Sequence, residues 1–360
     1  MTSSYPAQIH VKVVGVGGAG GNAVARMVKS QLQGVKFLAL NTDIQALRQF
    51  KGIPTFAIGP KTTGGMGSGG NPEAGRRAIK ESQDQIARLL QGSDMVFVTA
   101  GMGGGTGTGA IPIVAEMAKK QGALTVGVVT LPFSFEGPHR MQAARNGLRQ
   151  LERRVDTLIT VENDRLLPSL KGKVTLDRAF QIGDEVLRQG VQGISDIIMV
   201  PGLINVDFAD VKSVMGNGGP SFMAVGEGKG KWAAIEATHM ALSNPLFDAP
   251  LEGASGILFN VRGGKDLTLG QVHEVAGIIR KASKSGANVI FGLVQERKLK
   301  KRVHITLVAT GVGGQEDGPG LHSAANNGAA SSTDGIGEPT RNHAANGHAT
   351  PPAIGTGRLL

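Results

Sequence analysis

The sequence predicts an α/β protein: a parallel-sheet domain, a long central helix, a second and smaller α/β domain, and a disordered tail. Three observations carry that expectation. β-rich runs alternate with amphipathic runs through the first half of the chain. A single amphipathic stretch near residues 176–202 then interrupts the alternation. Beyond about residue 311 apolar side chains become sparse. The expected boundaries are a flexible 1–8, a first domain over 9–176, the helix over 177–202, a second domain over 203–312 and a tail over 313–360.

The first half reads in order. "IHVKVVGVG" (9–17) is a strand, and "GNAVARMVKSQL" (21–32) has apolar residues at helical spacing. "VKFLALNTD" (35–43) is a second strand. "NPEAGRRAIKESQDQIARLLQG" (71–92) is a long helix, with Asn71 as its cap and Pro72 at its first position. "MVFVTA" (95–100) is a strand, "IPIVAEMAKKQGA" (111–123) a helix, and "ALTVGVVTLPF" (123–133) and "VDTLITVEND" (155–164) are further strands. Strands alternating with helices imply a parallel sheet covered on both faces.

The second half reads differently. "LDRAFQIGDEVLRQGVQGISDIIMVPG" (176–202) is one long helix stopped by Pro201 and Gly202. Strands follow at 256–264, 288–296 and 302–311, with a helix over 269–286 between the first two. "RKLKKR" (297–302) is expected to be a basic, solvated hairpin tip. The tail is Gly, Ala, Ser, Asn and Pro, too polar to offset chain entropy by burial. Its histidines, like the others, form no ligand-spaced cluster.

Composition narrows the chemistry. The chain has 360 residues, 55 of them Gly, and no Cys, which excludes disulfides, thiolate catalysis and cysteine-ligated metal. No apolar run reaches the roughly 20 residues of a membrane span, and the N-terminus lacks a secretory layout, so a cytoplasmic location is expected. The net charge is +10, and residues 311–360 carry −2, leaving +12 on the body. A basic body fits an anionic partner (nucleotide, nucleic acid or membrane surface) as well as solubility through net charge.

Three glycine-rich loops fall at strand ends: "GVGGAG" (15–20), "TTGGMGSGG" (62–70) and "GMGGGTGTG" (101–109). Glycine lets backbone N–H groups turn toward a ligand, and a following helix adds orphan donors and a positive dipole end. "GVGGAG" alone would suit a dinucleotide, with Asp43 as the ribose acid. Three such loops on one sheet edge suit a triphosphate better. No Walker-type P-loop is present, so the work falls to backbone amides, with Thr106 and Thr108 adding hydroxyls. A guanine base offers two donors and calls for an acceptor, for which Asp184 and Asn163 are candidates. Phe180 lies one turn before Asp184, placed either to stack on a purine or to pack in the core. Glu136 and Arg140 are candidate ribose and phosphate contacts, or a surface ion pair.

Together these residues resemble the tubulin/FtsZ family. "GGGTGTG" (103–109) is similar to its signature loop and "NVDFADV" (205–211) to its second acidic loop; "GVGGAGGNA", "NTD", "NPEAG", "FEG", "GVQGISD" and "PGLIN" stand in the matching order over about residues 8–312. The resemblance implies a GTPase that polymerises head to tail into protofilaments forming the bacterial division ring at mid-cell. It implies that Gly18, Ala19, Gly20, Gly21 and Asn22 hold phosphates, as do Gly104, Gly105, Thr106, Gly107, Thr108 and Gly109. Glu136 and Arg140 would touch ribose and phosphate, and Asn163, Phe180 and Asp184 the base. GTP or GDP, with Mg²⁺ on the nucleotide, would be the ligand, and no protein metal site is assigned.

Asn205, Asp207 and Asp210 sit at the far end of the central helix from Asp184, so they are expected to serve the next subunit's triphosphate. Asp207 and Asp210 share a face at a helix start and could orient water, although one of them could simply cap that helix. Some positions depart from the family's pattern: Gly64 and Leu131 stand for Arg, Glu162 stands for Pro, and "MGNGGPSFMAVG" (215–226) is unusual. The tail lacks the acidic-apolar peptide that docks membrane-anchoring division proteins. These departures leave open a related protein that binds GTP and modulates filaments with little hydrolysis.

Overall fold

The computed structural model describes residues 9–312 apart from 33, 170–174, 245, 247–250, 284 and 285. The described residues fall in one compact unit, and the expected N-terminal arm and tail lie outside them. In chain order the elements begin with β1 (Val11–Val16), α1 (Gly17–Lys29), β2 (Val35–Asn41), α2 (Ile44–Leu47), β3 (Thr55–Ala57) and α3 (Pro60–Thr63). They continue with α4 (Pro72–Glu81), α5 (Gln83–Leu90), β4 (Met95–Gly101), α6 (Gly105–Lys120), β5 (Leu124–Leu131), α7 (Pro138–Glu152) and β6 (Thr157–Glu162). The spine helix α8 (Leu176–Met199) leads to α9 (Phe208–Met215), β7 (Gly219–Lys229), α10 (Ala233–Leu242), β8 (Gly256–Gly263), α11 (Leu269–Ala282), β9 (Asn288–Gln295) and β10 (Arg302–Thr310).

All ten strands lie in one sheet, ordered β3-β2-β1-β4-β5-β6-β7-β10-β8-β9. Pairing is parallel from β3 through to β7. β10 then runs antiparallel between β7 and β8, and β9 is parallel to β8. The two halves are therefore joined edge to edge, through three residue pairs from Thr157↔Gly219 to Ile159↔Ser221. β5 is buried along its whole length, as a parallel strand covered by helices on both faces must be. Ile79, Ile86, Ile111 and Leu151 of α4–α7 pack on one face of the first half. Met27 of α1 and Leu187, Val191 and Ile194 of α8 pack on the other, in a core that also takes in Met223, Leu258 and Val308 of the second half. Each such side chain contributes about 1.5–3 kcal/mol on burial, so α8 is a splint across the seam. It lies close because Gly193 has no side chain: a Cβ there would stand 2.3 Å from Thr306 Cγ2.

Several expectations are corrected. The helix over 71–92 is broken at Ser82 into α4 and α5, and the Ser82 hydroxyl accepts from the Gly59 N–H at 3.0 Å. The helix expected from residue 111 starts six residues earlier, at Gly105, so the third glycine loop is mostly helix N-terminus. α7, β7 and α10 are additional elements. β7 escapes a periodicity reading because it is glycine-rich; Gly226 and Gly228 seat α10, with a Cβ at either falling 1.9 Å from a carbonyl of Ala237 or Ala233. "RKLKKR" is a crossover, since β9 and β10 flank β8.

Candidate nucleotide site

The strand order reverses between β1 and β4, and in open α/β sheets ligands bind beyond the strand C-termini at such a point. A cavity of about 370 Å³ lies there. Two helices point their N-termini into it. α1 starts at Gly17 and α6 at Gly105, and neither has a side-chain cap or an acidic residue in its first turn. Each start leaves backbone N–H groups without intrahelical partners, at the positive end of the helix dipole. Gly17 has φ +77 and would place a Cβ 2.9 Å from the Gly107 N, so the two starts touch only because both are glycine.

Of the residues expected in the first loop, Gly18 and Ala19 line the cavity, whereas Gly20, Gly21 and Asn22 do not. A Cβ on Gly20 would lie 2.4 Å from the Thr99 carbonyl, so this glycine seats α1 on β4; one on Gly21 would lie 2.4 Å from the Phe50 ring, so that glycine seats α1 against the segment after α2. Asn22 is exposed. In the third loop Gly104, Gly105, Thr106 and Gly107 line the cavity. Thr108 turns inward to accept from the Gly103 N–H at 2.8 Å. Gly109 lets α4 cross α6, since its Cβ would fall 1.9 Å from the Pro72 carbonyl. Thr106 is held by a hydroxyl chain, 2.7 Å from Thr42 Oγ1 and 3.0 Å from Ser68 Oγ. Ser68 is how the second glycine loop reaches the cavity, a connection that spacing alone does not disclose. Met102, Thr130 and Pro132 are further lining residues beyond those expected.

Asp43 does not line the cavity: its Oδ1 caps α2, accepting from Gln45 N at 2.8 Å and Ala46 N at 3.1 Å. The dinucleotide reading therefore loses its ribose acid.

The other wall comes from β5, β6 and α8. Glu136 Oε1 accepts from the Phe133 N–H at 2.9 Å, and Oε2 takes Arg140 at 2.7 Å. Both residues line the cavity as a fixed pair. Asn163 is buried, and its Oδ1 has no hydrogen-bond partner among the described residues. It faces α8 beside Gly183, whose Cβ would lie 3.0 Å from it. Phe180, partly exposed, meets Phe133 edge-on at 5.5 Å. Asp184 is held by Arg26 of α1, Nε to Oδ2 3.0 Å. Burial pushes its carboxyl up to about 6, and the Arg26 hydrogen bond limits the rise. The cavity thus combines an amide-lined anion cradle, an unpaired carboxamide oxygen, an aromatic face and a carboxylate. That donor and acceptor set fits a guanine nucleotide.

Asn205, Asp207 and Asp210 stand elsewhere. Asn205 Oδ1 accepts from the Gly202 N–H at 2.7 Å. Asp207 caps α9, its Oδ1 accepting from the Asp210 N–H at 2.8 Å. The Asp210 carboxylate is exposed and has no partner among the described residues. The loop is tied to β9 by Leu203 N to Leu293 O at 2.8 Å and Leu293 N to Ile204 O at 3.1 Å. From Asp184 to the end of α8 the helix rises about 22 Å, so this loop and the cavity lie at opposite ends of the spine. Among the departures, Gly64 sits at φ +60, which favours glycine, Leu131 is buried, and Glu162 pairs with Arg165 at 2.7 Å.

Comparison with known proteins agrees with this geometry. The GTPase domain of the Tubulin/FtsZ family matches residues 10–171, and the FtsZ family C-terminal domain matches residues 219–313. The FtsZ dimer of M. jannaschii is 45% identical with a TM-score of 0.82, over 85% of this chain and 89% of that one. A tryptophan-to-tyrosine mutant of the M. jannaschii FtsZ gives 45% and 0.81, over 85% and 92%. CetZ2 from Haloferax volcanii, a GTPgS-bound protofilament, shares the fold at 21% identity and a TM-score of 0.70, over 84% and 93%. With two family domains in order on one continuous sheet, and 45% identity across most of its length, the chain belongs to the tubulin/FtsZ family of GTPases.

Proposed function

We propose that this chain binds GTP in the cavity and hydrolyses it only in a head-to-tail polymer, where the acidic loop of the next copy closes the site. The polymer would serve as a division filament at mid-cell. The observation that carries the reading is the placement of the unpaired Asp210 carboxylate at the opposite end of α8 from the amide cradle. The helix starts at Gly17 and Gly105 would hold the phosphates, Glu136 and Arg140 the ribose side, and Phe180, Asn163 and Asp184 the base. Asp184 would accept from the two donors on the guanine edge, with Arg26 keeping it ionised.

Among the described residues no group of three His, Cys, Asp or Glu residues could hold a metal. A magnesium ion would therefore enter on the triphosphate oxygens and supply charge neutralisation there. In the reaction a water oxygen bonds to the γ-phosphorus as the bond to the β–γ bridging oxygen breaks, giving GDP and phosphate. Asp210 would accept the water's hydrogen bond and orient it, and Asp207 would fix the loop that carries Asp210.

Turnover per subunit should rise with protein concentration and be lost below the concentration at which sedimentable polymer forms. Mixing Asp210→Ala subunits with Gly105→Val subunits should recover activity that neither has alone. Full turnover by protein shown to be monomeric at the assay concentration would refute the shared site.

A further inference from the structure

The face of the first half across the sheet from α8 carries a concave groove of about 840 Å³ that takes no part in the site above. A cleft of about 280 Å³ shares its wall. Cations converge on it from three helices: Arg76 and Lys80 from α4, Lys119 and Lys120 from α6, and Arg149, Arg153 and Arg154 around the end of α7. The one carboxylate in either lining, Glu116, lies 2.6 Å from Lys120 and 3.1 Å from Arg154; hydrogen bonds from both hold it below the usual carboxylate range. Glu73 reaches Arg76 at 3.5 Å and Asp156 reaches Lys119 at 2.8 Å from the rim. Seven cations against three carboxylates leave the groove strongly positive. Arg149 donates to Asn146 Oδ1 at 2.6 Å, and none of Arg149, Arg153 and Lys80 has an ion-pair partner among the described residues.

Helix chemistry accounts for part of this. Lys80, Lys119, Lys120, Arg149, Arg153 and Arg154 sit in the last turn of a helix or just past it, where cations are favoured. It does not account for Arg76, which lies in the middle of α4, or for the convergence of three helix ends on one depression. No lining residue is aromatic, so the groove neither stacks bases nor offers a peptide the aromatic anchor typical of tight interfaces. Four of the seven cations are arginines, whose fork matches phosphate oxygens. A raised phosphodiester strand fills a depression of this kind more completely than a flat headgroup layer does. From these observations we infer that the groove binds the phosphate backbone of double-stranded nucleic acid, without reading its sequence. A polymer would repeat the groove and add avidity; only that avidity rests on the filament reading.

The test uses the full chain in GDP, without assembly, and anisotropy of a short labelled duplex across a salt series. The logarithm of affinity should fall linearly with the logarithm of salt. Arg149→Glu with Arg153→Glu should weaken binding about tenfold or more and flatten the salt slope by about two, with GTP turnover, sedimentation and melting temperature unchanged. The milder Arg149→Gln with Arg153→Gln gives the same direction should the first pair fold poorly. Lys298→Glu with Lys301→Glu makes the same charge change on the distant crossover and should leave affinity within about twofold. Equal losses from both pairs would reduce the effect to net charge and overturn the assignment. Tighter groove-dependent binding of phosphatidylglycerol vesicles or of polyglutamate than of the duplex would overturn it as well.

Discussion

The two ends of α8 hold carboxylates in opposite conditions. Near its start Asp184 is buried, clamped by Arg26, and pushed up to about 6. Beyond its end Asp207 and Asp210 stand in water, one capping a helix and the other unpaired. In the proposed site the buried group would serve recognition: low polarity strengthens a hydrogen bond to a ligand donor, and the clamp fixes its direction. The solvated group is reachable from outside the molecule, which the buried one is not. On the proposed function, one helix would keep the two tasks apart.

The comparison can be broken most sharply at its solvated end. Asp210→Ala should lower kcat about a hundredfold or more while nucleotide affinity, read by a fluorescent GTP analogue, stays within about threefold; comparable losses in both would merge the two ends. At the buried end the effect should invert. Asp184→Asn replaces one acceptor with a donor and should weaken GTP binding about 10–100-fold, on the scale of a charged hydrogen bond at about 1.5–3 kcal/mol.

The raised carboxyl of Asp184 gives a pH signature with a definite sign. Guanine donors favour the ionised form, so affinity should fall as pH drops through about 6. Between pH 7 and pH 5 the loss should be about tenfold, and Asp184→Asn should flatten it. The smallest effect expected is on stability: Asp207→Ala removes a helix cap and should cost about 1 kcal/mol, seen as a lower melting temperature in nucleotide-free protein.

Much of the site could be read from local chemistry. Helix starts built of glycine, the Asn71 cap and the one-turn spacing of Phe180 and Asp184 are all set within a few residues. What sequence left undecided depends on distant partners. Gly18 and Gly20 are the same residue two places apart, yet only Gly20 meets the Thr99 carbonyl. Arg26 and Asp184 are 158 positions apart, and no spacing rule joins them. The break at Ser82 is tied to Gly59, 23 positions earlier. β7 is obscure in sequence because its glycines answer to α10, which follows it in the chain, and not to a strand's own pattern.

The splint has a consequence for anyone dissecting this molecule. A fragment ending near Gly202 would retain the entire cradle, yet Leu187, Val191 and Ile194 would lose the roof that Met223, Leu258 and Val308 provide. Such a truncated piece should be sticky and short-lived, and its misbehaviour in solution would say nothing about the binding cradle it retains.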